Sequence, residues 1–329
     1  MDAVAYALAV VALPDATYVV PGSWTIKTAL PAPRDLHGQS TLSDGTVLVT
    51  GGRVSGLVSA DVQSYDPSTN AWTTKTALPA TRYFHAQSTL NDGTVLVTGG
   101  RDASGVATAD VQQYDPSTNA WTTKTALPAT RYYHGQSTRS DGTVLVTGGL
   151  VAGVVSADVQ QYDPSTNAWT TKTALPATRY YHGQSTRSDG TVLVTGGLVA
   201  GVVSADVQQY DPSTNAWTAK TALPATRYYH GQSTLDDGTV LVTGGRVGGS
   251  TASADVRSYD PSTNAWTIET ALPATRSQHK QSTLNDGTVL VTGGLVGGNT
   301  VSADVRSYTP ASTAPTPGRA TLLGYLAAN

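Results

Sequence analysis

The sequence predicts an all-β, six-bladed propeller with four antiparallel strands per blade. Three observations predict it. The first is a repeat: glycine pairs fall at 51/52, 99/100, 148/149, 196/197, 244/245 and 293/294, and both they and the tryptophans step by 48, 49, 48, 48 and 49 residues. The second is the content of the unit, which has four short β-rich runs between turn residues and no apolar stripe of helical period. The third is one run, TVLVTGG (143–149), whose Val144, Leu145 and Val146 form an unbroken apolar core. Such a run needs burial on both faces. A sheet of this kind must stack on copies of itself, and radial repetition supplies them.

The elements follow in order. Residues 1–23 are an apolar N-terminal segment; AVAYALAVVAL (3–13) has no basic flank and is expected to be a strand or docking segment, with a signal-peptide remnant as the alternative. Residues 24–308 are the propeller. In its third unit, YHGQSTR (133–139) is the innermost strand, Ser140-Asp141-Gly142 turns it, and the apolar run follows. After a loop comes ADVQQYD (157–163). Pro164-Ser165-Thr166-Asn167 makes the next turn, and the Thr-rich AWTTKTAL (168–175) is the outer edge, guarded by Lys172. The copying is close: 131–178 and 179–226 differ only at Thr171 and Ala219. The last unit ends at Tyr308 without a tryptophan, so the strand around Trp24 is expected to complete it and close the ring. Residues 309–329 begin as a Pro/Thr linker and end in an apolar tail, ATLLGYLAA (320–328).

A hydrophobic run ending in Gly-Gly, then a tyrosine, then a tryptophan, repeats here as TVLVTGG…VQQYDPSTNAW. This pattern resembles the kelch repeat, especially bacterial kelch proteins, over residues 24–308. The resemblance implies a propeller whose ring is closed by strands from both chain ends. Galactose oxidase and its relatives carry similar propellers, but that family's copper site uses a tyrosine cross-linked to a cysteine. With no cysteine in the chain, that cofactor cannot form.

Composition narrows the function. The net charge is -3 and charged residues are 13%, about half the usual share, so there is no basic excess to hold a phosphate backbone and nucleic acid is not an expected partner. No apolar stretch reaches the ~18 residues of a membrane span. A charge-poor, Thr-rich, Cys-free chain fits an exported bacterial protein, extracellular or periplasmic.

Comparing the copies separates scaffold from site. The Asp-Gly turn recurs in all six units and DPSTNAW in five, which marks their face as scaffold. The opposite face varies between Arg and His and in the loops after Gly-Gly. A ligand-binding rim is therefore expected there, formed by Tyr83, Phe84, Tyr132, Tyr133, Tyr180, Tyr181, Tyr228 and Tyr229, with Arg53, Arg101 and Arg246 at the loop starts. Phe84, Tyr133, Tyr181 and Tyr229 are the expected exposed set, and aromatic faces of this kind hold sugars or peptides. The apolar LVAGVVS loops (150–156 and 198–204) and both apolar termini could instead dock the chain into a larger assembly.

Structural roles are expected for Trp24, Trp72, Trp121, Trp169, Trp217 and Trp266. The same holds for His37, His85, His134, His182, His230 and His279, which lack the spacing and carboxylates of a metal site. Each should bond a neighbouring blade, with the arginine three residues earlier bracing loop carbonyls. The six glutamines two residues on should line a polar channel, and the repeated Asp of each ADV strand reads as scaffold. No metal, cofactor or catalytic residue is expected; the chain reads as a non-catalytic binding module for a glycan or peptide.

Overall fold

The computed structural model describes residues 17–315, and every regular element among them is a β-strand. In the third blade Gly135–Thr138, Val144–Thr147, Val159–Asp163 and Ala168–Lys172 pair antiparallel in chain order. The first, second, fourth and fifth blades repeat this order. The sixth takes its outer strand from the other end of the chain. Ser23–Lys27 pairs with Val305–Thr309, which sets Trp24 opposite Tyr308 as Trp169 stands opposite Tyr162.

The apolar run explains the stacking. Val144, Leu145 and Val146 are fully buried. Side chains alternate along a strand, so Val144 and Val146 face back to Leu96 and Val111 of the second blade. Leu145 faces forward to Val192 and Val194 of the fourth. Six such clusters lie between blades, and the last joins Leu290 and Val305 to Val47 and Val49. Each buried Val or Leu contributes about 1.5–3 kcal/mol, and no blade could gain it alone.

Gly-Gly ends this run for a packing reason. Gly148 and Gly149 have φ of 56° and 84°. The Gly149 N–H donates to the Arg179 carbonyl of the next blade at 2.7 Å. That same oxygen would lie 2.4 Å from a Cβ on Gly148. The tryptophans make an outer girdle: each indole N–H donates to a threonine carbonyl of the preceding blade, from Trp72 on Thr28 round to Trp24 on Thr270, all at 2.9 Å.

Two features differ from expectation. The innermost strand does not run unbroken through Tyr133: Arg131–Tyr132 pairs instead with Leu150–Val151, which pairs with Val154–Val155. This small sheet places the loop before the first strand and the loop after Gly-Gly on one face. The Pro/Thr linker is also in part a strand, since Ser312–Pro315 pairs with Thr17–Val20. The apolar segments 3–13 and 320–328 lie outside the described residues.

Candidate functional site

The variable rim converges on the axis. Leu36, Phe84, Tyr133, Tyr181, Tyr229 and Gln278 occupy one position in six blades, each with φ between 55° and 60°. Such a φ is rare for bulky residues. Here it turns each N–H toward the preceding blade: Phe84 donates to Leu36, Tyr133 to Phe84, Tyr181 to Tyr133, Tyr229 to Tyr181, Gln278 to Tyr229, and Leu36 to Gln278, at 3.0–3.3 Å. Six backbone hydrogen bonds thus encircle the channel mouth.

The side chains follow their backbones. Ring centroids lie 4.0 Å apart for Phe84 and Tyr133, 4.1 Å for Tyr133 and Tyr181, and 3.9 Å for Tyr181 and Tyr229. The set expected to be exposed is therefore half-buried, because the rings pack on one another. Burial pushes the Tyr133, Tyr181 and Tyr229 phenols up, so they stay protonated. Their partners Tyr83, Tyr180 and Tyr228 are half-buried further out, and Tyr132 is buried. Arg53 is held by the buried Asp35 through a 3.0 Å bond, Arg101 lies 4.8 Å over the Tyr132 ring, and Arg246 bonds Asn299 across to the sixth blade at 2.6 Å.

Below the aromatic ring the histidines form a second tier. His85 Nε2 meets Thr50 Oγ1 of the preceding blade at 2.9 Å. The tautomer follows from the neighbours. Gln87 Nε2 donates to Ser40 Oγ and to the Leu48 carbonyl, so its Oε1 is the acceptor that takes the Thr50 proton. Thr50 oxygen must then accept from His85 Nε2–H, which leaves Nδ1 bare, buried and without a partner. The same arrangement recurs in all six blades. Protonating Nδ1 would bury a cation with no acceptor. Burial accordingly lowers the His230 pKa to about 3, and the other five are also held well below the usual imidazole range.

The sign follows. A folded pKa below the unfolded value near 6.5 means the neutral ring stabilises the fold fully above that pH, and the contribution is lost as pH falls from there through about 3. We expect the His230 Hε1 resonance to keep its neutral shift from about pH 8 to about pH 5, and a titration midpoint near 6.5 would overturn this arrangement.

The arginines brace the same loops. Arg131 is buried, donates to the Gly148 carbonyl at 2.8 Å and the Asp158 carbonyl at 3.2 Å, and pairs with the Asp158 carboxylate. Equivalent pairs occupy the other five blades, which accounts for the repeated Asp. At the opposite face, Asp163 Oδ1 accepts from the Ser165 N–H and hydroxyl, so the turn aspartates act as turn caps. Among the described residues no cluster of His, Asp and Glu is arranged to hold a metal, and no helix is long and apolar enough to cross a membrane.

The comparisons agree with this architecture. A family model for the KLHDC2/KLHL20/DRC7 kelch-repeats domain matches residues 74–222, and the kelch motif matches 40–79 and 227–273. The chain belongs to the kelch-repeat family. A search of curated proteins gives no match. The kelch propeller is similar to the solved structure of YjhT, with a TM-score of 0.72 and 17% identity, covering 88% of this chain and 99% of that one. At that identity the likeness concerns the fold. Membership of the kelch family suggests a protein-binding module.

One residue that matters to the channel was missed in the sequence reading. Lys280 stands where Gly38, Gly135, Gly183 and Gly231 stand in four other blades and Ala86 in a fifth. The signal was present as a single charged exception to a small-residue position.

Proposed function

We propose that the kelch propeller is a non-catalytic binding module that takes a protein or peptide segment on its variable loop face. One observation carries the reading. Leu57, Val106, Val154 and Val202 occupy equivalent loop tips in the first four blades and are 61–76% exposed. Their counterparts in the fifth and sixth blades are Thr251 and Thr300. The tips thus form an apolar arc over four blades and a polar sector over two, as a partner with one apolar edge would require. Two features support a non-catalytic role: the histidines are committed to threonines, and each repeated Asp is committed to its arginine.

A glycan on the aromatic ring is the other ligand the rim suggests. Its tyrosines spend much of their faces on one another, which favours a peptide over a stacked sugar. Docking into a larger assembly is favoured by Val19, 67% exposed on the ribbon that joins the two termini. An extracellular or periplasmic setting belongs to the same proposal and rests on the charge-poor, Cys-free composition.

The test is selection from a displayed peptide library alongside a glycan array. Changing Leu57, Val154 and Val202 together to Asp should weaken selected peptides by about tenfold or more while leaving the fold intact. Selective glycan binding lost on changing Tyr133, Tyr181 and Tyr229 together to Ala would establish the glycan reading instead. No ligand in either format would shift the weight to the assembly subunit.

A further inference from the structure

The channel wall is internally saturated almost everywhere. The glutamine amides spend both protons on the preceding blade and their oxygens accept from threonine, as Gln184 does with Ser137, Leu145 and Thr147. The histidine Nε2 protons go to the same threonines, and the mouth N–H groups are used in the backbone ring. Besides the bare Nδ1 atoms of the six histidines, the exceptions lie on one blade. Lys280 makes no hydrogen bond or ion pair among the described residues, and no carboxylate lines the space around it. Gln278, two residues before it, leaves a buried Oε1 without a partner.

Both line one chamber, roofed by the aromatic ring and floored by the histidines, with a volume of about 70 Å³. At about 30 Å³ per water, that is room for about two waters or one very small organic molecule. Lys280 also lines the next space, about 140 Å³ between the histidine and glutamine tiers. The channel widens to about 350 Å³ at the Ser and Thr end of the innermost strands, away from the aromatic mouth. Burial lowers the Lys280 pKa, and its neutral histidine neighbours supply no counter-charge.

We propose that this axial chamber is a binding site for a small carboxylate, held by the Lys280 ammonium, with a ligand hydroxyl donating to Gln278 Oε1. A carboxylate would supply the counter-charge that Lys280 lacks, and a hydroxyl the donor that Gln278 lacks. The chamber size limits the ligand to a short-chain hydroxy acid. The chamber does not include the exposed loop tips at Leu57, Val106, Val154 and Val202, so either reading can fail without the other.

Glycolate is the probe, and ethylene glycol, which has the hydroxyls without the charge, is the control. Calorimetry at low ionic strength should show saturable glycolate binding and none with ethylene glycol. Lys280→Gly, which installs the residue of four other blades, should weaken glycolate at least about tenfold. Gln278→Leu, which installs the residue of the first blade, should weaken it about threefold. Equal binding to the Lys280→Gly protein, or no saturable binding to the native protein, would overturn the proposal. If Lys280→Gly does not fold, the ¹³Cε resonance of Lys280 in the native protein decides it: a saturable shift with glycolate supports the site, and an unmoved signal removes it.

Discussion

A chain lacking residues 1–27 should lose on the order of 5 kcal/mol of stability, a large share of what a domain holds. The deletion removes the outer strand of the sixth blade, with its five paired positions against Val305–Thr309. It uncovers Tyr308 and the cluster of Leu241, Val256 and Val289 that Trp24 helps to cover. It also breaks the tryptophan girdle at Thr270. An open array of repeats is stabilised only by its nearest neighbours, so unfolding should spread over a broader denaturant range as well as shift lower. Denaturation followed by tryptophan fluorescence reads both effects. An unchanged midpoint and slope would show that the shared blade contributes nothing.

The second large effect is expected from a single methyl group. Gly148→Ala should cost about 3–5 kcal/mol, while Gly153→Ala should cost only about 1. Both glycines have positive φ, 56° and 82°, so both substitutions carry backbone strain. They differ in surroundings. A Cβ on Gly148 would meet the Arg179 carbonyl of the next blade, whereas one on Gly153 would meet nothing within 4 Å. The difference between the two measured losses therefore isolates the contact between blades. Equal losses would mean that the blades can slide apart without penalty, and the packing argument would fall.

Much of this molecule was legible because it is written six times. Repetition exposed the blade, and the absence of a tryptophan after Tyr308 exposed its completion at Trp24. The six arginines and six histidines stood out by their count and their common spacing. The backbone ring at the mouth was not legible. Nothing local in Tyr133 or Phe84 favours a positive φ, as Asn or Gly would; the conformation is set by an acceptor about 48 residues away in the chain. The terminal ribbon was hidden for another reason. Ser312–Pro315 has a linker's composition, and only its partner at Thr17–Val20 makes it a strand. Lys280 was visible as a letter, but its meaning depended on which of its neighbours have partners.

The circle of backbone hydrogen bonds has an electrostatic consequence. All six N–H groups point the same way around the axis. Their in-plane dipoles follow one another tangentially, and around a closed, near-symmetric loop the vectors cancel. A helix end focuses aligned dipoles into a fixed partial charge; this mouth, built from the same peptide groups, has none in its plane. The backbone ring by itself therefore does not sort ions by sign. Among the described residues lining the channel Lys280 is the one lysine, and a single codon in the sixth repeat suffices to remove it.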